Sequence, residues 1–328
     1  MKFLSFLFVL VLSLAVAPVA SFAAAEAGSP GKFVPPAGRT LLIVGQDRDT
    51  IEEYVEAMGV VPGGFMTYTS IQELKGLSSA TNYGSGWEHA QYFVDKYPDS
   101  VLQIGLYMVG ALKDVSRGVY DENIRKLGEW IKAAKRPVFL RIGYEFDNPT
   151  NYYDPEDYKA AYRYLVDKLR AAGVENAAFV WHTYAPVDLK DIMAWYPGDE
   201  YVDWFAVSFF ATYQKDSAEK VVKLAREHAK PMMIAEAAPS GVKNFRREEI
   251  FGRWLSTYFD LIQDNQIEIA CYIDSDWESM PMYKGQGWGD SRLELTPKIK
   301  EQWLKEIKSG RYLNAGQNLF SQLGYKSK

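Results

Sequence analysis

What most constrains this chain is an alternation that repeats along most of its length: a short apolar run, then ten or more residues of helical pattern, then another apolar run. The runs are Leu41 to Gly45, Gly64 to Tyr68, Val101 to Met108, Pro137 to Glu145, Ala177 to Tyr184, Val202 to Phe210, Pro231 to Glu236 and Ile267 to Ile273. Short apolar runs alternating with helices are the sequence form of repeated βα units, in which strands are buried on both faces of a parallel sheet. The intervening segments carry helix signals of their own. Asp154 stands at a capping position, Pro155 suits a first turn, Tyr158, Ala161, Tyr162, Leu165 and Leu169 form one stripe, and Gly173 ends it. Asp216, with Glu219 three residues on, is expected to cap the helix that runs to Lys230. Such units, filling roughly 300 residues, predict an α/β fold of the (β/α)8 TIM barrel type as one domain. A doubly wound open sheet is the alternative. It would use a glycine-rich phosphate loop after the first strand, and Gly45-Gln46-Asp47-Arg48 lacks that pattern.

The N-terminus reads differently. Lys2, an apolar run from Phe3 to Val16, Pro18 and the small residues Ser21 to Ala25 have the three parts of a secretory signal. The expected organisation is a signal over residues 1–25, a Gly, Pro and Ala rich linker over 26–38 and the barrel over 39–328, with a polar tail from Gly310 wrapping the barrel bottom. Export predicts a secreted or periplasmic protein with no stable membrane association once the signal is cleaved, and a monomer is expected. The only cysteine, Cys271, can form no intramolecular disulfide, so the core alone must hold the fold. A net charge of −5 argues against nucleic acid or an anionic membrane as partner. Aromatic residues reach 15%, more than the core needs, so some are expected to line a surface for flat ligands such as sugars. The three histidines, His89, His182 and His228, show no metal-ligand spacing, so neither a metal nor a cofactor is expected.

Chemistry gathers where the runs end. The fourth, Pro137 to Asn148, buries its body and then turns into Arg141, Gly143 and Glu145, which period-two alternation places on one face. The seventh ends in Glu236. In a barrel the C-terminal ends of the strands converge on one mouth, so Glu145 and Glu236 can face each other across it. Paired carboxylates across a pocket are the apparatus of glycoside hydrolysis, one protonating the leaving oxygen and the other attacking carbon or activating water. A structural Arg–Glu pair is the competing explanation of the fourth run. Other run ends suit a sugar cleft: Trp181, His182 and Tyr184 after the fifth, and Trp277 and Trp288 after the eighth. Each of these is also explicable as packing, and His182 as a strand-end hydrogen-bonding group.

On Arg141-Ile-Gly-Tyr-Glu145, Trp195-Tyr-Pro-Gly-Asp-Glu-Tyr-Val-Asp-Trp204 and Met233-Ile-Ala-Glu236, the chain resembles glycoside hydrolase family 26, in the large clan of barrel hydrolases. The resemblance implies a retaining β-glycosidase of endo type acting on a polysaccharide or oligosaccharide. It makes Glu145 the acid/base, Glu236 the nucleophile and Trp277 the platform under the sugar at the cleavage point. Arg141 would keep the Glu236 side of the site charged. Typical members, many of them β-mannanases, have His directly before the acid/base residue, where this chain has Tyr144. That departure leaves β-mannan, β-1,3-xylan and β-glucan open. Tyr144 is expected to orient a carboxylate or a sugar hydroxyl, whereas strict alternation would bury it between strand and helix. A barrel that has lost catalysis and only binds polysaccharide is the alternative function, and retention of both carboxylates argues against it. A metal-dependent hydrolase is a third class, disfavoured by the scattered histidines.

Overall fold

The computed structural model describes residues 31–186, 188–189, 191–242 and 246–326. The expected signal and the first part of the linker lie outside the described residues. All eight apolar runs form strands. In chain order the strands are β1 (Thr40–Gly45), β2 (Gly64–Ser70), the short hairpin β3 (Thr81–Asn82) and β4 (Trp87–Glu88), β5 (Val101–Tyr107), β6 (Val138–Ile142), β7 (Ala177–Thr183), β8 (Trp204–Phe209), β9 (Met232–Ala237), β10 (Ile269–Ile273) and β11 (Tyr312–Leu313). The helices are α1 (Arg48–Met58), α2 (Ala90–Lys96), α3 (Leu112–Ser116), α4 (Asp121–Ala134), α5 (Pro155–Ala171), α6 (Lys215–Glu227), α7 (Arg247–Asp264), α8 (Pro297–Ile307) and α9 (Leu319–Gln322).

Strands β1, β2, β5, β6, β7, β8, β9 and β10 pair in that order, all in parallel, and β10 closes onto β1 from Leu41 opposite Ile269 to Gly45 opposite Ile273. This is the predicted (β/α)8 barrel, and closure leaves no open sheet edge in the ring. Burial on both faces explains the unbroken apolar runs. Leu41, Ile43, Met66, Phe139, Val180, Ala206, Met233 and Cys271 pack inside the ring, while their neighbours Leu42, Val44, Leu140, Phe179, Phe205 and Ile234 pack outward under the helices.

Local signals explain the helix boundaries. Asp154 caps α5 by accepting from the amides of Glu156 and Asp157 at 3.0 and 3.1 Å, and the stripe from Tyr158 to Leu169 is buried. Asp216 does not cap α6. The helix begins at Lys215, and the preceding turn is held instead by Gln214, whose Oε1 accepts from the amides of Phe210 and Ala211 at 2.7 and 3.0 Å. A side chain long enough to reach back over a strand end satisfies two amides that an aspartate inside the first turn cannot.

The end of the barrel away from the strand C-termini is plugged. β11 pairs with the start of β1, and Leu319, Leu323 and Phe33 pack on the inner cluster, with the Phe33 ring edge-on to Phe139 at 6.1 Å. Phe33 and Val34, within the expected linker, therefore pack against the barrel. Nearby, the buried Arg136 donates to the carbonyls of Ala134, Tyr97, Ser100 and Val94, all within 3.2 Å. Arg136→Met would leave several buried carbonyls without donors and is expected to lower unfolding free energy by roughly 2 to 5 kcal/mol, measured by denaturant titration. Because Arg136 sits at the closed end, the folded fraction should keep its turnover.

Candidate active site

The mouth is built around one buried cation. Arg141, inward-facing on β6 and fully buried, makes an ion pair through Nη1 with Glu236 Oε1 at the end of β9. Nη1 also lies 3.3 Å from His182 Nδ1 on β7, and Nη2 lies 3.2 Å from Met66 Sδ on β2. The rings of Tyr68 and Tyr144 sit at 5.0 Å on the guanidinium, within cation–π range. Burial opposes the charge, but Glu236 outweighs that penalty and raises the Arg141 pKa above its ordinary value. The predicted Arg141 and Glu236 thus meet across the barrel.

Glu236 reaches the interior because β9 breaks its alternation. Against β8, Val207 pairs with Ile234 but Ser208 pairs with Glu236, so Ala235 is an extra residue, a β-bulge. Met233 and Ala235 face inward and Ile234 outward, so unbroken alternation would have sent Glu236 out under the helices. Bulges near active sites re-aim a side chain in this way. The Ala235 carbonyl accepts from Gln103 Nε2, which reaches across the barrel from β5 at 2.7 Å.

Glu145 is positioned by a second break. β6 ends at Ile142, and both Gly143 (φ 54°) and Glu145 (φ 50°) are left-handed. For a residue with a side chain this conformation costs on the order of 1 to 2 kcal/mol. The surroundings impose it: Asn151 Nδ2 donates to the carbonyls of Tyr144 and Glu145, and the Phe146 amide donates to the His182 carbonyl. The Glu145 carboxylate accepts from Ser208 Oγ at 2.6 Å on one oxygen and from Asn148 Nδ2 at 2.9 Å on the other. Burial, and then the charge of Glu236, push its pKa up to about 7 against those two donors. One carboxyl is thus inclined to hold a proton near neutrality while the other faces a fixed cation, the division of labour that paired carboxylates need.

The same turn settles Tyr144. It does not enter the strand–helix interface. Its ring packs on Tyr68 at 5.3 Å and on Tyr107 at 6.4 Å beside Arg141, and among the described residues its hydroxyl has no hydrogen-bond partner. Tyr184 follows β7, half-buried, its amide held by Asp147 Oδ1 at 2.7 Å. Trp277 is only 2% exposed, its indole nitrogen donates to Ser291 Oγ, and Tyr283 stands edge-on to it at 4.7 Å. The half-buried Trp288 and Tyr283 therefore cover it, and they present more ring surface than Trp277 does.

Two expectations need correcting. Trp181 is not at the mouth: it faces outward from β7, fully buried between Phe146, Tyr196 and Phe205, because alternation gives the inward position to its neighbour. That neighbour, His182, is inside but fully buried and bonded to Arg141 and Ser208, so it holds other site residues rather than offering itself to a ligand. Sequence reasoning missed Ser208, Asn148, Tyr68, Gln103 and Tyr283. Ser208 had a signal, as the only polar residue in Trp204–Phe209. Among the described residues no three His, Cys, Asp or Glu side chains converge as a metal centre requires.

Glu88 was also missed. Fully buried at the end of the β3–β4 hairpin, it accepts from Thr67 Oγ1 at 2.7 Å and the Tyr68 amide at 2.9 Å, so it ties the hairpin to the strand carrying Tyr68. Its other oxygen has no partner among the described residues, and burial pushes its pKa up to about 8. Between the ordinary carboxyl range and about 8 the folded protein holds a proton that the unfolded chain has released, so this group's contribution to stability falls as pH rises through that window. Glu88→Gln, which cannot ionise, should gain in melting temperature relative to wild type as pH is raised from about 5 to about 9. A constant difference across that range would contradict the assignment.

Residues 128–271 match the profile of Glycosyl hydrolase family 26. A β-1,3-xylanase from Alcaligenes sp. is 33% identical over 324 residues, covering 90% of this chain and 69% of the relative. A second β-1,3-xylanase, from Vibrio sp., is 33% identical with 90% and 70% covered. Among solved structures, a family 26 β-mannanase from Bacteroides ovatus superimposes with a TM-score of 0.63 at 15% identity, covering 86% of this chain and 93% of the other. That likeness supports the barrel, and the 33% relatives carry the assignment further. The chain belongs to glycosyl hydrolase family 26, and it is a glycoside hydrolase whose substrates are polysaccharides.

Proposed function

We propose that this protein is an exported, monomeric endo-β-1,3-xylanase that works with retention of configuration. The observation that carries the mechanism is the pair of carboxyls at the mouth, Glu236 bound to Arg141 and Glu145 with a pKa pushed up to about 7. Glu236 attacks the anomeric carbon as the bond to the leaving oxygen breaks, and Glu145 gives that oxygen its proton. Glu145 then takes a proton from water, whose oxygen displaces Glu236 from the same carbon and restores both groups. Two carboxyls balance every proton and electron pair, so no cofactor is called on. The two relatives at 33% identity are both named as β-1,3-xylanases, which supports β-1,3-xylan over β-mannan. Tyr144, in place of the usual family histidine, fits a different sugar at the cleavage point. The apolar N-terminal segment with small residues at its end supports export.

Product release from a panel of β-1,3-xylan, β-mannan and mixed-linkage β-glucan tests the substrate, and NMR of the first-formed anomer tests retention. Turnover of β-mannan alone would overturn the substrate, and an inverted first anomer the mechanism. Glu145→Ala and Glu236→Ala should each lower turnover on the order of a thousandfold or more while folding survives. Since the acid must be protonated, kcat/KM should fall as pH rises through about 7.

Tyr144 offers a finer test. Its hydroxyl has no hydrogen-bond partner among the described residues and its pKa is raised by burial, so it can donate a hydrogen bond to a sugar but not transfer protons near neutrality. Tyr144→Phe should weaken transition-state binding by roughly 1 to 3 kcal/mol in kcat/KM with the pH profile unmoved. Full activity on every substrate would remove the hydroxyl from recognition.

A further inference from the structure

The two carboxyls are joined through the protein by a chain of hydrogen bonds, buried as far as Ser208, and its direction follows from chemistry. Arg141 Nη1, bound to Glu236, also lies 3.3 Å from His182 Nδ1. A guanidinium has only donors, so His182 Nδ1 must accept. The ring hydrogen then sits on Nε2, 3.1 Å from Ser208 Oγ, which accepts it. Ser208 has one hydrogen, and its remaining contact is Glu145 Oε1 at 2.6 Å. His182 and Ser208 are both fully buried, so water does not compete for the imidazole nitrogens, and only the Glu145 end of the chain is partly exposed. The other Glu145 oxygen is equally constrained: Asn148 Oδ1 accepts from Thr150, which turns the Asn148 amide nitrogen toward Glu145 Oε2.

We propose that His182 and Ser208 are positioning residues forming a one-way relay, through which the guanidinium that pairs with Glu236 also aims Glu145 and weakens its hold on its proton. A second proton on His182 would set an N–H against the Arg141 N–H, so the ring stays neutral, and burial and the Arg141 charge act in the same direction. The relay delivers a hydrogen to the ionised form of Glu145. It opposes the burial and the Glu236 charge that favour the protonated form. The ionisable groups acting on Glu145 are Glu236 on β9, Asp147 in the loop beyond β6, Tyr184 after β7 and Tyr283 in the loop after β10, while His182 on β7 and Arg141 on β6 reach it through Ser208. None of them supplies this hydrogen bond, which comes from Ser208 alone on that oxygen.

The proposal rests on Glu145 being the acid/base, and the test separates the two. In Ser208→Ala the alkaline limb of kcat/KM should move up by about half a unit to one unit, with kcat lowered about tenfold and KM near wild type. Ser208→Thr, which keeps the hydroxyl, should restore both. Ser208→Cys, similar in volume but a weaker donor, should fall between and serves if the alanine variant does not fold. An alkaline limb unmoved in the alanine or cysteine variant would overturn the relay, as would a threonine variant no better than alanine. Titration of the Glu145 carboxyl by carbon NMR in the full chain reads the same shift without turnover. If that titration moves in Ser208→Ala while no glycan is hydrolysed, the relay stands and the functional reading falls. If glycan is hydrolysed and the titration does not move, the reverse holds.

Discussion

A guanidinium buried inside a closed barrel is the interaction on which the rest of the site depends. Arg141 has no access to solvent, and an unpaired charge there would be strongly destabilising. Glu236 neutralises it, two tyrosine rings cover it, and His182 and Met66 receive two more of its hydrogens. Its Nε is left without a partner, so even this arrangement does not satisfy every donor. Such a residue is poorly explained as a device for stability alone. Its value lies in fixing the Glu236 carboxyl at the centre of the mouth.

The scaffold supports that centre by departing from regularity at two strands. Ideal strands would keep Glu236 outside and would leave Glu145 on an extended backbone. The bulge at Ala235 turns the Glu236 carboxyl inward, and the left-handed pair Gly143 and Glu145 shapes the turn that holds Glu145 at the mouth. Each irregularity has its own hydrogen-bonded support, Gln103 for the first and Asn151 for the second. A regular barrel would be simpler to fold, so irregular strand ends that both carry a carboxyl to the mouth mark where function has been placed.

Much of this was legible in the chain. Eight apolar runs separated by helical stretches specify a parallel sheet buried on both faces, the want of a glycine-rich phosphate loop favours the barrel over an open sheet, and strand C-termini in that fold share one mouth. Glu145, Glu236 and Arg141 could therefore be placed together before any coordinates. Trp181 could have been excluded on the same grounds, since His182 beside it takes the inward position and alternation sends the indole outward.

What local sequence determined is what depends on near neighbours: strand and helix spans, the Asp154 cap, and the charge and residue types at the mouth. What only the tertiary structure decided is what depends on partners far apart in the chain. The Ala235 bulge is visible only in the register of β9 against β8, the tautomer of His182 only from Arg141 and Ser208 on either side, and the elevated proton affinity of Glu145 only from burial and the charge of Glu236. Side-chain direction at a strand end and the ionisation of a buried group are set by the surrounding electrostatics and packing, and a barrel assembles those surroundings from strands that the chain itself keeps well apart.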